Sequence, residues 1–196
     1  MKHIPVKDWF TIPNMMGYFR ILLIPLFVWL YCTAQTTTQI YLAAAVVGIS
    51  GLTDLFDGWV ARRFDQITEL GKFLDPLADK LTQGALVVCL SSRWPWMLLP
   101  VGLFVLKEGM MAVMGLILLQ RNCKLDGAMW FGKLCTAVLY IVMFALLLMP
   151  AMPLWIANTL IGICSAVMLL TMVLYIPVFA GMWKNTKNSS RKDDAE

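Results

Sequence analysis

The recurrence of apolar runs as long as a bilayer is thick restricts this chain more than any other feature. Six stretches, residues 12–31, 40–61, 71–90, 96–119, 129–149 and 154–182, match the ~20 residues with which a helix crosses the hydrocarbon core. In lipid every backbone N–H and C=O must be satisfied within the protein, which leaves helices and closed barrels. Barrel strands alternate polar and apolar residues, and these runs do not. The expected fold is therefore all-α, a polytopic membrane protein with six transmembrane helices. Composition agrees. Hydrophobic residues make up 60% of the chain and mean hydropathy is +0.73, against about 45–50% apolar residues in a soluble domain.

Three regions follow. Residues 1–11 combine Lys2, Lys7 and Asp8 with Ile4, Val6, Trp9 and Phe10, the make-up of a short segment lying at the interface. Residues 12–183 form the membrane domain. Residues 184–196 are polar and expected to be disordered. No small-residue cleavage site follows the first apolar run, so it is expected to stay as an anchor. No internal repeat, the mark of many transporters, is visible.

Six spans put both termini on one side, and the charges choose which. Lys2 and Lys7 flank the N-terminus, and Arg62, Arg63 and Lys72 fill the second connection. Arg121, Lys124 and Lys133 lie in or beside the fourth, and Lys184, Lys187, Arg191 and Lys192 fill the tail. The first, third and fifth connections hold only Arg93. The positive-inside bias therefore makes both termini cytoplasmic. Trp94, Trp96 and Trp155 fall near the opposite ends, where an aromatic belt is expected.

Other classes are disfavoured. A net charge of +4, with no basic patch interleaved with aromatics, does not suggest nucleic acid. The five cysteines, Cys32, Cys89, Cys123, Cys135 and Cys164, are odd in number and include no CxxC pair, against a disulfide framework or zinc site. The single His3 cannot anchor a histidine-based site.

Four acids sit where acids are expensive. Asp54 and Asp57 lie in the second span, Asp75 and Asp79 in the third. Each costs ~2.5–3.5 kcal/mol on insertion scales, about 10 kcal/mol together if uncompensated. Asp54 and Asp57 are three apart and Asp75 and Asp79 four apart, so each pair shares a helix face. Both pairs stand near the cytoplasmic ends of spans joined by a short connection. The two helices are expected to be antiparallel neighbours with all four carboxylates converging at one depth.

Oxygen donors without His or Cys suit hard divalent ions such as Mg²⁺ or Mn²⁺. Four carboxylates suffice for a two-metal site of the kind that serves phosphoryl chemistry. Gly58 follows Asp54 by four, Ala61 follows Asp57 by four, and Gly71 precedes Asp75 by four, leaving room beside the acids for a large ligand. Arg62 adds a permanent cation suited to phosphate. Other readings stand beside these. Small residues also permit close helix packing. Salt bridges with Arg20, Lys80 or Lys107 would account for one or two acids. Intramembrane acids also mark ion pathways, so a divalent-cation transporter is an alternative, as is an inactive scaffold.

The run DLFDGWVARRFDQITELGKFLDPLAD, residues 54–79, resembles the CDP-alcohol phosphatidyltransferase pattern D-x2-D-G-x2-A-R-x8-G-x3-D-x3-D at all eight fixed positions. IPNMMGYFRILLIP, residues 12–25, is similar to that family's first helix. The resemblance implies transfer of a phosphatidyl group from CDP-diacylglycerol to an alcohol, with release of CMP, at a cytoplasm-facing site in the cell (inner) membrane. It implies that Asp54, Asp57 and Asp75 bind two divalent metals. Asp79 would be the general base on the acceptor hydroxyl and also a ligand. Gly58, Ala61, Arg62 and Gly71 would line the CDP pocket. A homodimer is also implied.

The acceptor is less defined. The opening and the run GKFLDPLADKL most resemble the family's bacterial phosphatidylglycerophosphate synthases, whose acceptor is glycerol 3-phosphate. Those carry S-R-E in the fourth helix, where this chain has Leu106, Lys107 and Glu108, and G-K-x-K-T in the fifth, where it has Gly132, Lys133, Leu134, Cys135 and Thr136. Lys107 and Lys133 would supply two cations to an acceptor phosphate. Alternatively Lys107 pairs with Glu108 and Lys133 is an interface anchor. The missing second lysine also fits cardiolipin synthases, whose acceptor is phosphatidylglycerol. Arg20, inside the first span, is expected to point to the cavity or to a carboxylate, with a pyrophosphate contact as a further option.

Overall fold

The computed structural model describes residues 11–63, 68–120 and 129–193. The described residues form helices and the turns between them: α1 (Ile12–Thr33), α2 (Thr37–Arg63), α3 (Glu69–Ser91), a 3₁₀ turn (Pro95–Met97), α4 (Leu98–Gln120), α5 (Trp130–Leu148) and α6 (Leu154–Asp193). The expected interfacial segment, apart from Thr11, lies outside the described residues, as do Arg121, Cys123 and Lys124.

Five of these helices, all but α3, are long and apolar enough to cross a membrane. The remaining one, α3, has 23 residues, about 34 Å at 1.5 Å per residue. Its first half carries Glu69, Lys72, Asp75, Asp79 and Lys80, which dilute its hydropathy below that of a plain span. The α6 helix runs on into the polar tail as far as Asp193. Once an apolar segment has nucleated a helix, each further turn adds hydrogen bonds at little entropic cost.

The chain divides into two compact units. The first comprises Met1–Arg93 and Phe144–Met152, the second Trp94–Met143 and Pro153–Glu196. In the first, α1 packs against both α2 and α3. Its inward stripe is Pro13, Asn14, Gly17, Arg20, Phe27 and Tyr31, while Leu22, Leu26 and Trp29 are exposed on the other side. Exposed bulky apolar side chains are what a helix presents when lipid is its solvent.

Local chemistry fixes the ends of these helices. The Gln39 side-chain oxygen accepts from the backbone N–H groups of Gln35 and Thr36, and the Thr36 hydroxyl accepts from the Gln39 N–H. This reciprocal capping starts α2. At the end of α3, Arg93 donates to the Ala34 carbonyl at 2.8 Å and lies 5.4 Å from the Tyr31 ring centroid. The one basic residue of the first, third and fifth connections thus ties the turn after α3 to the end of α1.

In the second unit α4 packs on α6. Phe131, Tyr175 and Phe179 form a buried core with Met110, Met111 and Met114 against it. Trp94 departs from the expected aromatic belt: it is buried, whereas Trp96 and Trp155 are exposed. Cys32, Cys89, Cys135 and Cys164 are free thiols.

Candidate active site

The acids of the first unit are organised by α1. Asn14, Gly17 and Arg20 recur every three residues and so share one face. On the first turn, the Asn14 side-chain oxygen accepts from the Thr68 hydroxyl at 3.1 Å. Thr68 in turn caps α3, its hydroxyl accepting from the Gly71 N–H at 2.9 Å. A Cβ on Gly71 would lie 2.8 Å from that same Asn14 oxygen. On the next turn, Gly17 faces α3, where a Cβ would stand 3.8 Å from the Leu74 Cβ and 4.0 Å from the Asp75 carboxylate. Only helices with such small contacts approach this closely.

One turn further, Arg20 meets the acids of α2. Its Nη1 contacts Asp54 and lies 3.6 Å from the Asp57 carboxylate. The Arg20 side chain is 3% exposed and that of Asp57 5%, whereas Asp54 is 46% exposed. Asp75 is within electrostatic reach of both Arg20 and Asp54. Two carboxylates of α2 therefore share one buried guanidinium from α1. That charge offsets the desolvation of groups which would otherwise be prohibitive at this depth. Nη1 is shared between the two carboxylates, and Nε is buried with no hydrogen-bond partner among the described residues.

Both helices pack on α1, the helix that carries the compensating cation. The connection between α2 and α3, residues 64–67, lies outside the described residues. The ion-pair reading of the acids thus holds for Asp54 and Asp57, with Arg20 as partner. Asp79, one turn beyond Asp75 on α3, is half-buried. Gly58, Ala61 and Arg62 lie on the last turns of α2, and their side chains are outside the described residues.

The donor set fits a hard divalent cation in kind, being all carboxylate oxygen. Among the described residues no three acids are yet close enough to share one ion. The guanidinium holds the place where a cation's charge is needed. Leu55, Phe56 and Trp59 line an open apolar hollow on the same turns of α2 as Asp54 and Asp57.

The lysines of the weaker expectation belong to the second unit. Lys107 is buried, and its ammonium lies 2.6 Å from the carboxylate of Glu108. The pairing alternative therefore describes it. Lys133, at the start of α5, is exposed, and Cys135 is buried. Beside Lys133, a Cβ on Gly132 would stand 2.3 Å from the Tyr175 hydroxyl, which also hydrogen-bonds the Met129 backbone. Phe131 meets the Tyr175 ring edge-on at 4.7 Å between centroids.

Sequence reasoning did not single out Gly17, Tyr175 or the pairing of Asn14 with Gly71. A polar Asn14 three residues before a glycine and six before an arginine, in an apolar run, is the one signal that was available for the inward stripe.

The CDP-alcohol phosphatidyltransferase family model matches residues 10–183. The chain is similar to the CDP-diacylglycerol–glycerol-3-phosphate 3-phosphatidyltransferase of Escherichia coli (strain K12). The two are 31% identical over 144 residues, 72% of this chain and 79% of that protein. Proteins of the same name from Shigella flexneri serotype 5b and Shigella sonnei match at the same 31% identity over the same shares, 72% and 79%.

Proposed function

The chain belongs to the CDP-alcohol phosphatidyltransferase family, and from that premise we propose that it moves a phosphatidyl group from CDP-diacylglycerol to glycerol 3-phosphate. The products are phosphatidylglycerophosphate and CMP. The observation that carries the reading is the pairing of Asp54 and Asp57 on α2 with one buried cation, Arg20 of α1, the helix on which acid-bearing α3 also packs.

Asp54, Asp57 and Asp75 would hold two divalent ions, Mg²⁺ or Mn²⁺, which supply neutralisation of the pyrophosphate charge when bound. Asp79 accepts the proton of the acceptor hydroxyl as that oxygen bonds to the phosphorus bearing diacylglycerol. The bond from that phosphorus to the CMP oxygen breaks, and CMP leaves. Gly58, Ala61 and Arg62 line the nucleotide pocket, with Arg62 on a phosphate. Gly71 lines the same pocket and also sets the position of α3 against Asn14. The apolar hollow at Leu55, Phe56 and Trp59 suits acyl chains beside a polar head. Lys133 is the candidate cation for the acceptor phosphate, and Lys107 would join it only on leaving Glu108. The positive-inside bias makes both termini and the site cytoplasmic in the inner membrane, and the protein acts as a homodimer.

The test is product identification. Purified protein is incubated with CDP-diacylglycerol and, separately, glycerol 3-phosphate, phosphatidylglycerol, serine and inositol phosphate, and lipids are resolved by mass. Phosphatidylglycerophosphate is expected, with loss on chelation and return with Mg²⁺ or Mn²⁺. The buried Cys135, standing where the signature has a second lysine, favours the alternative acceptor phosphatidylglycerol. Cardiolipin as the sole product would establish that reading. Metal flux into liposomes without any lipid product would return the chain to the transporter class.

A further inference from the structure

Arg20 occupies a position that is hard to reconcile with a purely structural bridge. A permanent Arg–carboxylate pair presents its planar fork to one acid through two directed hydrogen bonds. Here one nitrogen, Nη1, is shared between Asp54 and Asp57, while Nη1 and Nε are both buried without a completed hydrogen bond among the described residues. The guanidinium compensates two acids at once instead of clamping one. Both of those acids, Asp54 and Asp57, are among those to which the proposed reaction assigns the divalent ions.

We infer that Arg20 is the resident counter-ion of this acid cluster and that a divalent cation binds by exchange with it. A guanidinium and a divalent ion cannot both sit against Asp54 and Asp57 without strong repulsion. Without a divalent ion, Arg20 keeps two intramembrane acids tolerable. With that compensation supplied by a bound ion, Arg20 would withdraw and its donors would be available to an anion. The exchange makes metal affinity a property of α1 as well as of the acid helices. It also keeps the acids from needing a metal merely to stay inserted.

The inference rests on the reading that Asp54 and Asp57 take a divalent ion. Its test is Mn²⁺ binding by full-length protein in detergent micelles, followed by the paramagnetic resonance of free Mn²⁺ and by thermal unfolding with and without the ion. Arg20→Gln removes the competitor, so it should bind Mn²⁺ about tenfold more tightly than wild type. Its melting temperature should fall in chelator and recover with Mn²⁺, a wider gap than in wild type. Arg20→Lys, which keeps the charge without the fork, covers the case in which the glutamine variant does not fold. It should bind Mn²⁺ more tightly than wild type by a smaller factor. A folded variant that binds Mn²⁺ as wild type does, or more weakly, overturns the exchange. A wild-type protein that binds no Mn²⁺ instead removes the metal reading on which it stands.

Discussion

The side-chain oxygen of Asn14 fills the space that a side chain on Gly71 would need, 2.8 Å from a Cβ built there. The same oxygen accepts from Thr68, whose hydroxyl caps α3. A glycine that the motif assigns to the nucleotide pocket thus also seats α3 on α1, one turn before Asp75.

Gly71→Ala should therefore destabilise the protein by about 1–3 kcal/mol, the usual range for overpacking. Thermal unfolding in micelles measures it. The double variant Asn14→Ala with Gly71→Ala should be no less stable than Asn14→Ala alone, because the clash has gone. A normal melting temperature with weaker CDP binding in Gly71→Ala would confine Gly71 to lining the nucleotide pocket.

Asp57 and Asp54 share one partner at different depths. Asp57→Asn removes a buried charge that faces buried Arg20, and should cost about 1–3 kcal/mol in metal-free protein. Asp54 is 46% exposed, and Asp54→Asn should cost no more than ~1 kcal/mol. Equal melting temperatures for the two variants would contradict the burial difference.

Asp79→Asn should reduce turnover about a hundredfold or more, the contribution of a positioned base. Mn²⁺ binding should largely survive, because three other carboxylates remain. Comparing CMP release with metal binding in one preparation separates the roles. Full activity would take Asp79 out of the mechanism.

Gly132→Ala would place a Cβ 2.3 Å from the Tyr175 hydroxyl and should destabilise the second unit by about 1–3 kcal/mol. Tyr175→Phe removes that hydroxyl, so adding it to Gly132→Ala should restore most of the lost stability. If the double variant melts no higher than Gly132→Ala, the contact is not what requires the glycine.

By itself the sequence determined what depends on neighbours along the chain. Apolar run length set the helices, because a backbone in lipid has no other way to satisfy its polar groups. Spacing of three and four put Asp54 with Asp57 and Asp75 with Asp79, because helix geometry repeats locally. Hydropathy also exposed the acids as anomalous, and the residues flanking them carried the family pattern.

Only the tertiary structure decided which charge answers which. Arg20 lies more than thirty residues from Asp54 in sequence, and nothing local separates it from Lys80 or Lys107 as the partner. Equally, nothing local showed that α1 packs on both acid-bearing helices and so brings its arginine to the acids of α2. Lys107 turned to its own neighbour Glu108. Gly71 and Gly132 proved to be glycines because of Asn14 and Tyr175, side chains from distant turns that fill the same space. Such pairings are set by packing in three dimensions, which spacing along one helix cannot express.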